Sequence, residues 1–117
     1  MQYILMLHAA ESGWTAMTEA QQQQAMGAFH AYTEALKKAG VLKSVSRLQA
    51  SSTTTTVRAA GGKSQVLNGP YVDSKEQLGG FYIIDVPDLQ TAIRWAERCP
   101  TAMHGTVEVR PLWAEAA

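Results

Sequence analysis

An α+β fold follows from three features of the sequence. Two segments carry apolar residues at helical spacing, and short alternating or β-branched segments surround them. Turn residues punctuate the chain between these segments, most strongly at Gly61-Gly62 and at Asn68-Gly69-Pro70. The resulting order is strand, helix, strand, β-hairpin, strand, helix, strand. Two helices dividing a set of strands in this way predict a ferredoxin-like sandwich, with both helices on one face of the sheet.

Gln2–His8 (QYILMLH) opens the chain as a strand. Both of its alternating sets are apolar, which predicts a central position covered on both faces. Ala9–Thr15 reads as a loop carrying Gly13 and Trp14. Thr18 is the expected N-cap of the first helix, with Gln21 completing a capping box. That helix runs to about Ala39 and stops at Gly40. Ala25, Phe29, Tyr32, Leu36 and Ala39 form its apolar stripe, and Gln21–Gln24 read as a solvated first turn or two. Val41–Leu48 is a second strand diluted by polar residues, and Ala50–Thr53 a polar loop. Thr54–Ala59 and Ser64–Leu67 pair as a hairpin through Gly61-Gly62.

The stretch Asn68–Val86 (NGPYVDSKEQLGGFYIIDV) combines two rigid punctuation points around a charged hinge. Gly69-Pro70 stops the preceding strand, and Gly79-Gly80 permits a sharp turn or a close backbone approach. Phe81–Val86 then reads as a central strand. Asp88 is a strong N-cap signal. Leu89, Ala92, Ile93 and Ala96 make the buried stripe of a second helix ending at Cys99-Pro100. Thr106–Leu112 is the last strand, with Val107 and Val109 alternating against Thr106, Glu108 and Arg110. Both helices cover one sheet face, yet the first strand and Phe81–Val86 offer apolar residues to both. The simplest cover for the second face is another copy of the chain, sheet against sheet. Glu108 and Arg110 then lie on the partner-facing side, as a solvated edge pair or as a polar lining.

The chain of 117 residues is one domain, residues 1–117, with 46% apolar and 17% charged residues, as in ordinary folded proteins. Ten basic and ten acidic residues cancel, so no electrostatic footprint for nucleic acid or an anionic membrane is visible. The single cysteine, Cys99, reads as a buried structural thiol and fits a reducing cytoplasm. No apolar run is long enough for a membrane span, and a basic leader region is missing at the N-terminus.

NGPYVDSKEQLGGFYIIDVPDL resembles the DGPF signature of the YCII-related proteins. Gly69, Pro70, Lys75, Glu76, Leu78, Gly79, Gly80 and Phe81 match it, and the segment ERCPTAMHGTVEVRP supports the resemblance. Asn68 stands where the signature has Asp, and Tyr71 where it has Phe. The resemblance implies a dimeric α/β-barrel, which agrees with the uncovered sheet face. It also implies enzymes in some relatives that use a His–Asp pair, one of them similar to a dehydrochlorinase. Other relatives are associated with extracytoplasmic-function sigma factors, so a sigma-factor partner is a further expectation.

His30, in the first helix one residue past Phe29, is the acid–base candidate; histidine is the residue type that titrates near neutral pH. Some relatives carry a helix histidine in roughly this position. The competing reading is a border histidine bonded to solvent. Asp73 is its candidate partner, against a purely structural hinge. Asn68 favours a structural role for the signature, because an amide holds a turn but accepts no proton at neutral pH. His104, Arg58 and Arg110 are candidate ligand-binding residues, the arginines for an anionic group. His8, ending the first strand, is the weakest of the three histidines. The histidines lack metal-ligand spacing, and no G-x-G-x-x-G, Walker or G-x-S-x-G motif occurs, so neither metal nor cofactor is expected. Two functions remain: a cytoplasmic homodimer acting on a small organic molecule as a cofactor-independent lyase or isomerase, or a non-catalytic ligand-sensing module tied to sigma-factor regulation.

Overall fold

A computed structural model describes residues 1–114. Six strands, three α-helices and two 3₁₀ turns follow one another along these residues. They are β1 (Gln2–Ala9), α1 (Glu11–Thr15), α2 (Glu19–Lys38), β2 (Leu42–Arg47), a 3₁₀ turn (Ser51–Thr53), β3 (Thr55–Ala60) and β4 (Lys63–Asn68). After these come β5 (Gln77–Asp85), α3 (Leu89–Arg98), a second 3₁₀ turn (Pro100–Met103) and β6 (Thr106–Pro111). Four strands form an antiparallel sheet in the order β2-β5-β1-β6, with β1 and β5 central. Set the hairpin aside, and β1-α2-β2 and β5-α3-β6 are two interleaved β-α-β halves. That is the ferredoxin-like arrangement within an α+β fold.

The caps form as their residue types dictate. Thr18 accepts from the Gln21 amide while the Gln21 side chain accepts from Thr18 N–H, closing a capping box on α2. Asp88 accepts from the Thr91 amide at 2.9 Å and starts α3. β3 and β4 pair antiparallel from Thr55↔Asn68 to Ala60↔Lys63. Gly61 (φ 58°) and Gly62 (φ 77°) supply the two left-handed residues of the tight turn between them. This hairpin forms a sheet of its own, and every residue except Thr56 is exposed.

The core lies between the helices and one sheet face. Tyr3, Leu5 and Leu7 of β1, Tyr82 and Ile84 of β5, Tyr32 and Leu36 of α2, and Ala92 and Ala96 of α3 are buried there. Tyr32 meets Tyr82 edge to face, with ring centroids 5.2 Å apart. Both phenols are satisfied: Tyr32 donates to the Trp95 carbonyl at 2.6 Å, and Tyr82 bonds the Thr33 hydroxyl at 2.9 Å. Burial pushes both phenols above their ordinary range. Cys99 is fully buried, as its sequence context predicts.

Three expectations need correction. Ala9–Thr15 is not simply a loop, because Glu11–Thr15 coils into a short helix. Tertiary contacts hold it. The Glu11 carboxylate accepts from the Ser51 amide (2.7 Å) and the Ser51 hydroxyl, and Trp14 lies 4.8 Å beneath the Arg47 guanidinium. The Ser51 bonds hold the Glu11 carboxyl below its usual range. Next, the strand expected over Phe81–Val86 starts earlier, at Gln77, because Gly79-Gly80 is extended and paired rather than turned. Finally, Leu89 is exposed, outside the buried stripe of α3.

Candidate functional site

Alternation in β1 sends Ile4, Met6 and His8 to the face away from the helices. The strand register carries this pattern across the sheet. Ile4 sits opposite Ile83 and Arg110, Met6 opposite Phe81 and Glu108, and His8 opposite Leu78 and Thr106. Ile4, Met6, Phe81 and Ile83 are half-buried, so this face presents an apolar strip. His8 ends the strip, and Thr106, Glu108 and Arg110 of the edge strand β6 line its side.

Nε2 of His8 lies 2.6 Å from Oε1 of Glu108. The histidine side chain is only 24% exposed, against 57% for the glutamate. Nε2 itself is shielded from solvent and has no aligned hydrogen bond. The two observations are compatible, because a short separation does not by itself align the N–H with the oxygen. A second carboxylate lies at the same end: Glu76 Oε1 accepts from the Thr106 hydroxyl at 2.8 Å. The loop before Glu76 is tied down from within, since Gln77 Nε2 donates to the Val72 carbonyl (3.1 Å) and the Ser74 carbonyl (2.9 Å). Gly105 admits β1 at this point, because a Cβ there would run into the His8 carbonyl oxygen. The arrangement therefore holds an imidazole, two carboxylates and a hydroxyl beside an apolar strip. It can exchange a proton with a bound molecule and orient that molecule by hydrogen bonds.

The five residues singled out by sequence are dispersed. His30 is exposed on α2, and Asp73 is exposed in the segment before β5. His104 is exposed in the turn before β6, and Arg58 is exposed on the hairpin. Arg110 alone shares the face of the His8 cluster, two residues along β6 from Glu108. Among the described residues, no ion pair joins any two of the five. Sequence reasoning passed over His8 and Glu76 as site residues. The usable signal for His8 was its place in the alternating set Ile4, Met6, His8, next to a last strand whose Glu108 and Arg110 share one face.

Two shallow surface hollows lie elsewhere. One is lined by Met1, Pro111, Leu112 and Trp113, and another lies between α3 and β6. Neither includes His8 or Glu108. Among the described residues, no three His, Cys, Asp or Glu side chains are grouped as metal ligands. No described helix is long and apolar enough to cross a membrane.

The family model for the YCII-related domain matches residues 1–115. The chain belongs to the YCII-related family. An uncharacterized protein of Rhizobium meliloti (strain 1021) is 33% identical over 114 residues, which cover 96% of this chain and 92% of that relative. The DGPF-like stretch of this YCII-related chain thus runs from the hairpin into β5, and its Glu76 reaches the open-face cluster.

Proposed function

We propose that this YCII-related protein is a homodimer that binds a small organic molecule on the open sheet face and moves a proton on it, as a cofactor-independent lyase or isomerase. The observation that supports this reading is the 2.6 Å approach of Glu108 to the shielded Nε2 of His8, at the end of an apolar strip. His8 acts as the acid–base group, with the Glu108 carboxylate beside its Nε2. Arg110, on the same face, holds an anionic group of the ligand. The second copy covers the apolar strip and excludes water from the site, which strengthens every charge interaction within it. His30 and Asp73, both exposed, then serve outside the chemistry.

The second reading is a non-catalytic ligand-sensing module. The solvent exposure of His30, the candidate the sequence favoured, is the observation on its side. A titration followed by ¹H–¹⁵N NMR separates the two readings from an unoccupied face. A mixed library of small hydroxylated and carbonyl compounds is added to the labelled protein. Shifts concentrated at Met6, His8, Phe81 and Glu108 are expected. Shifts confined to the hollow between α3 and β6, or no shifts at all, refute a ligand site on the open face.

A further inference from the structure

We propose that Gly105 and Thr106, at the start of β6, are positioning residues for His8: they fix this end of β6 on β1 and so hold the Glu108 carboxylate against the imidazole. This inference rests on the reading above that His8 is the acid–base group, and it names what sets the geometry of that group.

The His8–Glu108 contact makes a demand on the backbone. His8 stands opposite Thr106 in the ladder, and Glu108 stands opposite Met6. His8 and Glu108 are therefore diagonal neighbours, and such positions lie about 7–8 Å apart in an antiparallel pair. Nε2 and Oε1 nevertheless approach to 2.6 Å. Both side chains must lean along their strands to meet, so the contact depends on where the two backbones stand. β5 does not fix His8 from its other side. The pairing of β1 with β5 slips between Leu7 and His8: Leu7 is opposite Gly80, His8 is opposite Leu78, and Gly79 has no partner in β1. A bulge of this kind bends the strand and re-aims the side chains beside it.

β6 supplies what β5 lacks. Gly105 lies so close to β1 that a Cβ on it would overlap the His8 carbonyl oxygen and stand 3.2 Å from both Ala9 Cβ and Thr101 Cγ2. Its φ is not positive, so the turn itself does not demand glycine; the close approach does. Gly105 is also held from behind, because its N–H donates to the Thr101 carbonyl at 2.7 Å and Thr101 is buried. Thr106 fastens the next position. Its hydroxyl donates to Glu76 Oε1 at 2.8 Å. Glu76 immediately precedes β5, and β1 lies between β5 and β6, so this bond spans the end of β1 at the level of His8. A methyl group at position 105 forces β1 and β6 apart by roughly 1 Å at this end. A misplacement of about 1 Å at a reacting group can cost about 10²-fold in rate.

NMR of the His8 ring tests this without any ligand. The ring C–H resonances of His8 are recorded at one pH in the wild type, Gly105→Ala, Thr106→Val and Gly80→Ala, each with and without Glu108→Gln. Gly80→Ala is the packing control, because its added methyl meets β2 instead of β6. Glu108→Gln should move the His8 resonances as far in Gly80→Ala as in the wild type, and less than half as far in Gly105→Ala and Thr106→Val. Deuterium exchange into a compound that the wild type exchanges gives the second readout. In Gly105→Ala its kcat should fall by about 10²-fold with KM within about twofold of the wild type, while Gly80→Ala keeps the wild-type rate. A folded Gly105→Ala with a full response to Glu108→Gln, or with an unchanged kcat, overturns the proposal. An equal loss of response in Gly80→Ala overturns it as well, since general loosening then explains the effect. A full response in Thr106→Val removes Thr106 from the assignment, and if Gly105→Ala does not fold that result overturns the whole. A wild type whose ring resonances ignore Glu108→Gln overturns the contact itself. A wild type that exchanges no compound overturns the acid–base reading, and the ring resonances still decide what places His8.

Discussion

Replacing each glycine of the Gly79-Gly80 pair by alanine should have unequal consequences, and the difference can be worked from the strand geometry. A Cβ on Gly80 would lie 2.8 Å from the Ser46 carbonyl oxygen and 3.6 Å from Arg47 Cα, both backbone atoms of β2. The first distance is roughly 0.5 Å or more inside a relaxed carbon contact. Neither strand has a flexible side chain there to move aside. Accommodation requires β2 and β5 to separate along their ladder, at a cost of about 1–3 kcal/mol for overpacking. Against this stands about 0.5–1 kcal/mol recovered by removing a glycine from a strand interior. The net loss for Gly80→Ala is about 1–2 kcal/mol, which lowers Tm by roughly 4–8 °C for a domain of this size. Gly79 differs. Its Cβ would have only the Leu7 carbonyl oxygen within reach, at an ordinary 4.0 Å. Gly79→Ala should leave Tm unchanged or raise it slightly. Thermal unfolding followed by circular dichroism under identical conditions measures both. Equal effects at the two positions, or a neutral Gly80→Ala, refute the close-approach explanation of the pair.

Other outcomes follow from the buried thiol and the helix cap. Cys99 is fully buried, and desolvation raises its pKa above the usual thiol value. A chromogenic disulfide reagent should leave the native protein untouched and label one thiol per chain in denaturant; prompt native labelling contradicts the burial. At Asp88, the hydroxyl and then the amide of Thr91 hold the carboxyl below its ordinary range. A depressed carboxyl stabilises the fold above its unfolded pKa, near about 3.9, and that contribution disappears as pH falls through the lower folded value. Asp88→Asn keeps an acceptor oxygen at the cap but cannot titrate. The Tm of the wild type should therefore fall more steeply than that of Asp88→Asn as pH drops below the normal carboxylate range. Parallel curves would falsify the assignment.

Much of the fold was legible because its signals are local. The Thr18–Gln21 capping box, the Gly61-Gly62 turn and the Asp88 cap each need only a few adjacent residues, and each forms where those residues stand. The helix over Glu11–Thr15 was not legible, because Ser51 and Arg47 hold it from far along the chain. The start of β5 was obscured by the double glycine. Two glycines in sequence read as a sharp turn or a close backbone approach, and only their pairing with β1 and β2 shows that the chain stays extended and that the close approach forms, at Gly80. The site was harder still. His30 drew notice because helical phase places it beside the Phe29 stripe, a relation visible within a few residues. His8 gains its importance from Glu108, which cross-strand register brings back from the far end of the chain. The sheet-face reasoning did place Glu108 and Arg110 together; aligning the first strand antiparallel to the last supplies the missing partner.

The most direct test of whether chemistry sits on the open sheet face or on the first helix is solvent-deuterium exchange. A mixed library of small carbonyl and hydroxylated compounds is incubated in D₂O with the wild type, His8→Asn or His30→Asn, and NMR follows the loss of carbon-bound hydrogen. The account predicts exchange into at least one compound by the wild type. It predicts a fall of about 10²–10⁴-fold in His8→Asn, the usual worth of a general acid–base group, and wild-type rates in His30→Asn. Exchange that survives in His8→Asn and is lost in His30→Asn contradicts it.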